Sequence, residues 1–429
     1  MKKRILGFGA GVIVLAALTV ALWLRPDAAK FSIGPPLPPG KVTPQLVTTW
    51  DTAVLLAPDG SLWGWGGTQF QLTYLFGKPV VTQRPQRIGS DSDWAKVAVS
   101  FTHILALKSD GSLWGWGNNG SGQIAQPTPT NFNVPVRIGR EKWSQISAGA
   151  SHSLALKSDG SLWAWGQNDR GQVGDGTKSN KFTPTLISPD RDWKRVEAGN
   201  FNSFALKADG SLWGWGLDPI TGGSSDTFSP QQLDPGTNWV ALSAGDYVLL
   251  AVKSDGTLWL RGQNASSAAP DFATASTSTF IQVGPARDWK DVWAGQGFFF
   301  ARKTDGSWWA CGRNDSAQLG RGLNLRGFVG SPRPLPLAID PWALAAGNAN
   351  TLLLARDGTL WTWGIRLGSG TPVGSSSVKQ VLNQISTFVF HRRWFKTSDP
   401  IVDADPYKIW ELSTEARPRP IPPRETNAK

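Results

Sequence analysis

Apolar and polar positions fall into a unit that returns along the chain. In Leu105-Ala106-Leu107-Lys108 an apolar run meets Ser109-Asp110-Gly111-Ser112, and a second apolar run, Leu113-Trp114-Gly115-Trp116, follows. Two such runs around an Asp-Gly pair predict a β-hairpin, because glycine accepts the positive φ of the turn. Trp114 and Trp116 are two residues apart and so share one face of their strand. Gly115 lies on the other face and lets a neighbouring sheet come close. Upstream, Trp143-Ser144-Gln145-Ile146-Ser147-Ala148-Gly149 predicts an earlier strand that ends at a glycine turn. Downstream, Pro184-Thr185-Leu186-Ile187 predicts a fourth.

The Asp-Gly pairs begin at Asp59, Asp110, Asp159, Asp209, Asp255, Asp305 and Asp357, in steps of 51, 49, 50, 46, 50 and 52 residues. A fixed period of that size marks a repeat architecture. Four short strands per period make one blade of a β-propeller, so the expected fold is all-β, with seven blades around an axis over residues 43–412.

The unit Ala-Gly-x-x-His-Ser-Leu-Ala-Leu-Lys-x-Asp-Gly-Ser-Leu-Trp-x-Trp-Gly-x-Asn-x-x-Gly-Gln, as it stands from Ala148 to Gln172, resembles the regulator-of-chromosome-condensation repeat. The resemblance recurs seven times over roughly residues 43–390. It implies the propeller fold. It leaves function open, because that family includes nucleotide exchange factors, secreted β-lactamase inhibitors and binding scaffolds, and a fold does not choose among them.

The repeats are not uniform. Both strand tryptophans are present in repeats one to four and seven, but repeat five has Arg261 and repeat six has Cys311 in the second slot. Cys311 is read as a small buried hydrophobe rather than a nucleophile. As the only cysteine, it excludes an intramolecular disulfide framework. Of the 24 tryptophans, 12 fall in the Trp-x-Trp slots and 6 lead the upstream strand, so the aromatic content is explained by repeat packing rather than by a ligand cage.

Ahead of the repeats, Ile5 to Leu24 is an uncharged apolar run preceded by Lys2, Lys3 and Arg4. As a helix its 20 residues reach about 30 Å, one hydrocarbon core. The preceding cations keep the N-terminus cytoplasmic, so residues 1–25 are expected to anchor an exported domain. A cleaved signal peptide, cut near Ala28 or Ala29, is the rival reading. Residues 26–42, rich in proline, read as an extended linker. Val378 to Arg393 and Tyr407 to Leu412 read as leftover closing strands, and residues 413–429 as a Pro/Arg-rich tail.

The formal net charge of +11 includes the four cations flanking the apolar run, which leaves a mildly basic body. No dense Lys/Arg run occurs in the repeats, so no nucleic-acid partner is expected. Gly115, Gly117 and Gly120 spell a literal Gly-x-Gly-x-x-Gly, but no helix follows, so it reads as a repeat loop. His103 and His152 occupy one repeat position, matched elsewhere by Thr52, Asn202, Val248, Phe298 and Asn350. That periodicity points to a structural polar contact at a turn. With no triad, metal spacing or phosphate loop in the sequence, neither a cofactor nor an enzyme is expected. An envelope hydrolase or lyase with a site in the central channel, and a nucleotide exchange or chromatin factor, are the alternatives.

Function is therefore expected in the loops. The Asp-Gly turns share one face and are nearly identical. The other face carries the Ala-Gly turns and the long loops after Trp-Gly. Its candidate binding residues are Trp50, Phe101, Phe201 and Tyr247 in the turns, with Phe70, Tyr74, Phe76, Arg313, Arg321 and Arg326 in the long loops. Aromatics and arginines are the residue types that anchor protein interfaces. The expectation is a propeller held on the outer side of a cytoplasmic membrane that binds a protein partner.

Overall fold

A computed structural model describes residues 29–32, 40–49, 52–66, 82–217, 226–245, 248–262, 277–320, 327–335, 341–356, 358–365 and 372–373. The expected propeller is there, with seven antiparallel sheets in chain order. The inner strands are Gln45–Thr48, Trp94–Val99, Trp143–Ala148, Trp193–Ala198, Trp239–Ala244, Trp289–Ala294 and Pro341–Ala346. Each neighbours the next around the axis, and the first also touches the last, which closes the ring.

The core consists of seven clusters, one in each wedge between adjacent blades. Between blades one and two, Trp114 and Trp116 both pack on Val54, Leu56 and Leu62, as their spacing predicts. The second-slot indoles Trp65, Trp116, Trp165, Trp215 and Trp363 are buried. Gly115 faces the other way, where a Cβ would press on Ile138 and Ile124 at 3.0 and 3.2 Å.

The Asp-Gly turns repeat one local hydrogen-bond relay. Gly60, Gly111, Gly160, Gly210, Gly256 and Gly306 all have φ between 77° and 85°, a region side chains avoid. In blade one, Asp59 Oδ1 accepts from Ser61 N and Ser61 Oγ, and Ser61 Oγ accepts from Trp63 Nε1 at 2.8 Å. Blades three, four and five repeat this relay. The glycine carbonyl then accepts from the first residue of the next blade, as Gly111 O does from Trp143 N.

That leading tryptophan meets the first-slot tryptophan of its own blade edge-on, with centroids 5.7 to 6.4 Å apart in blades two to six. A lysine bridges each pair: Lys108, Lys157, Lys207, Lys253 and Lys303 place Nζ 3.8 to 5.5 Å from the two ring centres. The Lys of the Leu-Lys-x-Asp-Gly motif is thus a cation–π brace.

The seventh blade departs from the sequence reading. Ala29–Ser32, inside the stretch read as a linker, is a strand that pairs antiparallel with Thr359–Thr362. Pro372–Val373 pairs further along the same edge. The N-terminal side of the chain therefore supplies an outer strand to the last blade. The apolar run Ile5–Leu24 and the closing strands expected at Val378–Arg393 and Tyr407–Leu412 lie outside the described residues.

Candidate functional site

Each inner strand ends in a small-residue turn, and these turns form a ring around the mouth of the axis. A Cβ on Gly149 would lie 2.6 Å from Gly199 O. Gly245, Gly295 and Gly347 meet the next turn's carbonyl at 2.8, 2.6 and 2.8 Å. Glycine is required there because adjacent turns stack backbone on backbone. Thr102 Oγ1 donates to Ala150 O at 2.7 Å, and Gln296 N donates to Gly347 O. Asn348 Nδ2 donates to Gln296 Oε1, and Thr48 Oγ1 to Asn350 Oδ1, which joins blade seven to blade one.

Inside the ring lies a cavity of about 120 Å³. Its described polar lining includes Thr49, Ser100, Asn200, Gln296 and Asn348, all uncharged. Phe101 lines it and is half-buried. Phe201 is also half-buried, and its carbonyl accepts from Leu217 N. Arg313 Nε is paired with Asp315 Oδ2 at 2.7 Å, and both side chains are exposed. Trp50, Phe70, Tyr74, Phe76, Tyr247, Arg321 and Arg326 lie outside the described residues. Sequence reasoning missed Asn200, Gln296 and Asn348. Their signal was positional: each directly follows the glycine of its turn.

The two histidines belong to the wedges. His103 Nε2 is 2.8 Å from Ser153 Oγ in the next blade, and His152 Nε2 is 3.0 Å from Ser203 Oγ. Ser153 and Ser203 each give their one proton to a carbonyl, Gln123 O and Gln172 O, at 2.7 Å. Both serines must then accept, so both imidazoles are assigned the Nε2–H tautomer from this network. Full burial pushes both histidines down to about 3, with the neighbouring His152 adding to the effect at His103. The structural contact expected at a turn is present at His103, whose Nδ1 is 2.9 Å from Ser100 Oγ, and both histidines in addition bridge to the next blade through Nε2.

The loop after Trp-Gly supplies those carbonyls. Asn119 Oδ1 accepts from Ile124 N, and Asn119 Nδ2 donates to Gln126 O and Thr128 O. Gln123 Oε1 accepts from Ser121 N. Asn168 with Gln172 and Asn314 with Gln318 close their loops in the same way. The acidic loop of blade three is likewise structural, since Asp175 accepts from Asn168 and Thr177 and pairs with Lys181. Among the described residues, no cluster of three or more metal-ligating side chains occurs. Burial pushes the Cys311 thiol up to about 12, as befits a packing residue.

Comparisons with known proteins fit this geometry. The Regulator of chromosome condensation (RCC1) repeat model matches residues 110–156 and 159–206, and a second model of the same repeat matches 94–123 and 143–172. No curated protein matches. Among solved structures, human WBSCR16 superposes with a TM-score of 0.63 at 18% identity, over 75% of this chain and 86% of that one. Yeast RCC1 (Prp20), solved bound to Kap60, gives 0.63 at 19% identity over 78% and 82%. Prp20p from Saccharomyces cerevisiae, described with its binding properties to Gsp1p and histones, gives 0.62 at 18% over 82% and 88%. Identities this low establish the fold alone. With the repeat models matched and the motif recurring in every blade, this chain is a seven-bladed propeller that carries regulator of chromosome condensation repeats.

Proposed function

We infer that the chain is a protein-binding propeller displayed on the outer side of the cytoplasmic membrane, and that it engages its partner through the face of the Ala-Gly turns. The contrast between the two faces carries this reading. The Asp-Gly turns repeat one relay and so offer nearly the same groups at each station. The opposite turns form a stacked ring that presents different residues at each station, including Phe101, Asn200, Phe201, Gln296 and Asn348. A rigid ring with varied side chains suits recognition, and half-buried aromatics contribute contact area at low entropy cost. The yeast relative was solved with a protein partner, which supports the class of function but not the partner's identity. Display outside the membrane rests on Ile5–Leu24 and the cations before it.

The test is capture of partners from envelope extract by the full chain in detergent. Phe101→Ala and Phe201→Ala are expected to weaken capture at least about tenfold with the melting temperature nearly unchanged. Ser112, Ser161 and Ser211 are buried in the turn relay and would be poor controls. Lys142→Glu and Arg191→Glu alter exposed charges on the Asp-Gly face instead. If the control pair abolishes capture and the phenylalanine pair does not, the face is wrong. Protease accessibility of the propeller in intact spheroplasts tests the display; full protection would exclude it.

A further inference from the structure

The chain enters the propeller at the outer edge of the last blade. Ala29–Ser32 runs antiparallel to Thr359–Ile365, with Ala29 opposite Thr362 and Ser32 opposite Thr359. It is the outermost strand of that sheet, three strands away from the inner strand Pro341–Ala346. Further along the same edge, Pro372 and Val373 already pair with Ile365 and Gly364. Only the position opposite Trp363 is left for the chain before Ala29, which therefore meets the blade from outside the ring.

The apolar run ends close to this point. Leu24 precedes Ala29 by five residues, and five extended residues span at most about 18 Å. The headgroup layer is about 5–8 Å deep on each side of the hydrocarbon. A run that ends at the hydrocarbon boundary thus holds Ala29 within roughly 10–13 Å of the membrane surface. In a closed ring of seven, blades three and four lie opposite blade seven.

We propose that the outer rim of blade seven is the surface that meets the lipid headgroups, with the ring axis along the bilayer plane and blades three and four pointing away. The proposal rests on the reading of Ile5–Leu24 as an anchor. A short tether attached to the rim fixes which blade is nearest the membrane, whereas a tether attached to a face would lay that face down. Edge-on, both openings of the axis stay clear of the bilayer. Phe101 and Phe201, in the turns of blades two and four, can then be approached from the aqueous side. A ring lying flat would bring all seven rims equally near.

The test uses the full chain in phosphatidylcholine vesicles doped with phosphatidylcholine that carries a nitroxide on its headgroup. Single cysteines bearing a fluorophore are placed at exposed rim positions, and native Cys311 is buried. Gln86→Cys and Arg333→Cys lie on the outer strands of blades one and six, which flank blade seven. Thr183→Cys and Gln231→Cys lie on those of blades three and four. The first pair is expected to lose fluorescence to the nitroxide, and the second pair to keep it. Melting temperatures identify a variant that fails to fold, and Arg87→Cys or Leu186→Cys then takes its place on the same rim. Quenching alike at all four positions, at none of them, or stronger at blades three and four would overturn the proposal. Flotation of the vesicles tests the anchor separately. A chain that does not float loses anchor and orientation together, whereas a chain that floats with the wrong pattern loses only the orientation.

Discussion

The wedges on either side of blade four are built differently. Where blades three and four meet, His152, Ser203, Trp215 and the Gln172 carbonyl form one hydrogen-bonded set across the boundary. Where blades four and five meet, the corresponding residues are Asn202, Leu249 and Arg261, and Asn202 Oδ1 is buried without a partner. The difference follows a rule visible around the ring. The full loop ending in Gln occurs in blades two, three and six, at Gln123, Gln172 and Gln318. The blades that follow them carry a hydroxyl, Ser153, Ser203 or Thr351, and each donates to that carbonyl. After the other four blades the same position is Ala53, Ile104, Leu249 or Phe299. The indole bond does not follow the same rule, since Trp116 after blade one and Trp363 after blade six are both buried with no acceptor for Nε1. A hydroxyl buried without its acceptor is costly. The loop glutamine and the hydroxyl that meets its carbonyl are thus kept or lost together across a blade boundary.

The largest test of this contrast is truncation of a regular wedge. Trp165→Ala removes a buried indole and should cost about 3–5 kcal/mol in denaturant unfolding. A loss below about 1 kcal/mol would mean that the second-slot tryptophans do not hold the ring.

Acid should separate the wedge types next. His103 and His152 lie at about 3 in the folded protein, below their ordinary unfolded value. The unfolded chain therefore binds more protons below about pH 6.5, and stability falls as pH drops from there toward 3. Lowering the pH from 7 to 5 should cost about 2 kcal/mol per histidine. The wedges at Val248 and Phe298 have no such group. Replacing both histidines with Asn, the residue at positions 202 and 350, should flatten the dependence; an equally steep dependence in that variant would place its origin elsewhere.

Ser153→Ala strands His103 Nε2–H and one lone pair of the Gln123 carbonyl, and should cost about 1–2 kcal/mol. Ile104→Ser puts the hydroxyl in a wedge without the Gln loop and should destabilise rather than help. A stabilised Ile104→Ser variant would break the coupling rule. The smallest effect concerns Cys311, buried and with its thiol raised to about 12. Native protein at pH 8 should react with iodoacetamide far more slowly than unfolded protein, as mass spectrometry would show.

Much of the scaffold is legible in the sequence because it rests on local chemistry. Asp-Gly-Ser-x-Trp writes its own turn and relay within five residues, and Trp114 and Trp116 declare their common face by spacing. The site is less legible because it depends on contacts about 50 residues apart. Nothing local to His103 names Ser153 as its partner. Comparing repeat with repeat would have revealed it, since Gln in one unit predicts the hydroxyl in the next. The strand at Ala29–Ser32 was obscured by its proline-rich setting, and its partner is more than 300 residues away.

That strand also sets the order in which the molecule can be completed. Ala29 pairs with Thr362, so the first of the described strands waits for a partner more than 300 residues later. Blade one has the same dependence through Thr48 and Asn350. Such distant pairing is slow, because the closure entropy of the whole intervening chain precedes any gain. Six blades can stack as they emerge, but the row ends in two unprotected wedge faces until the seventh is made. Closure is therefore a single late event, and truncation from either end of the propeller acts on the same seam.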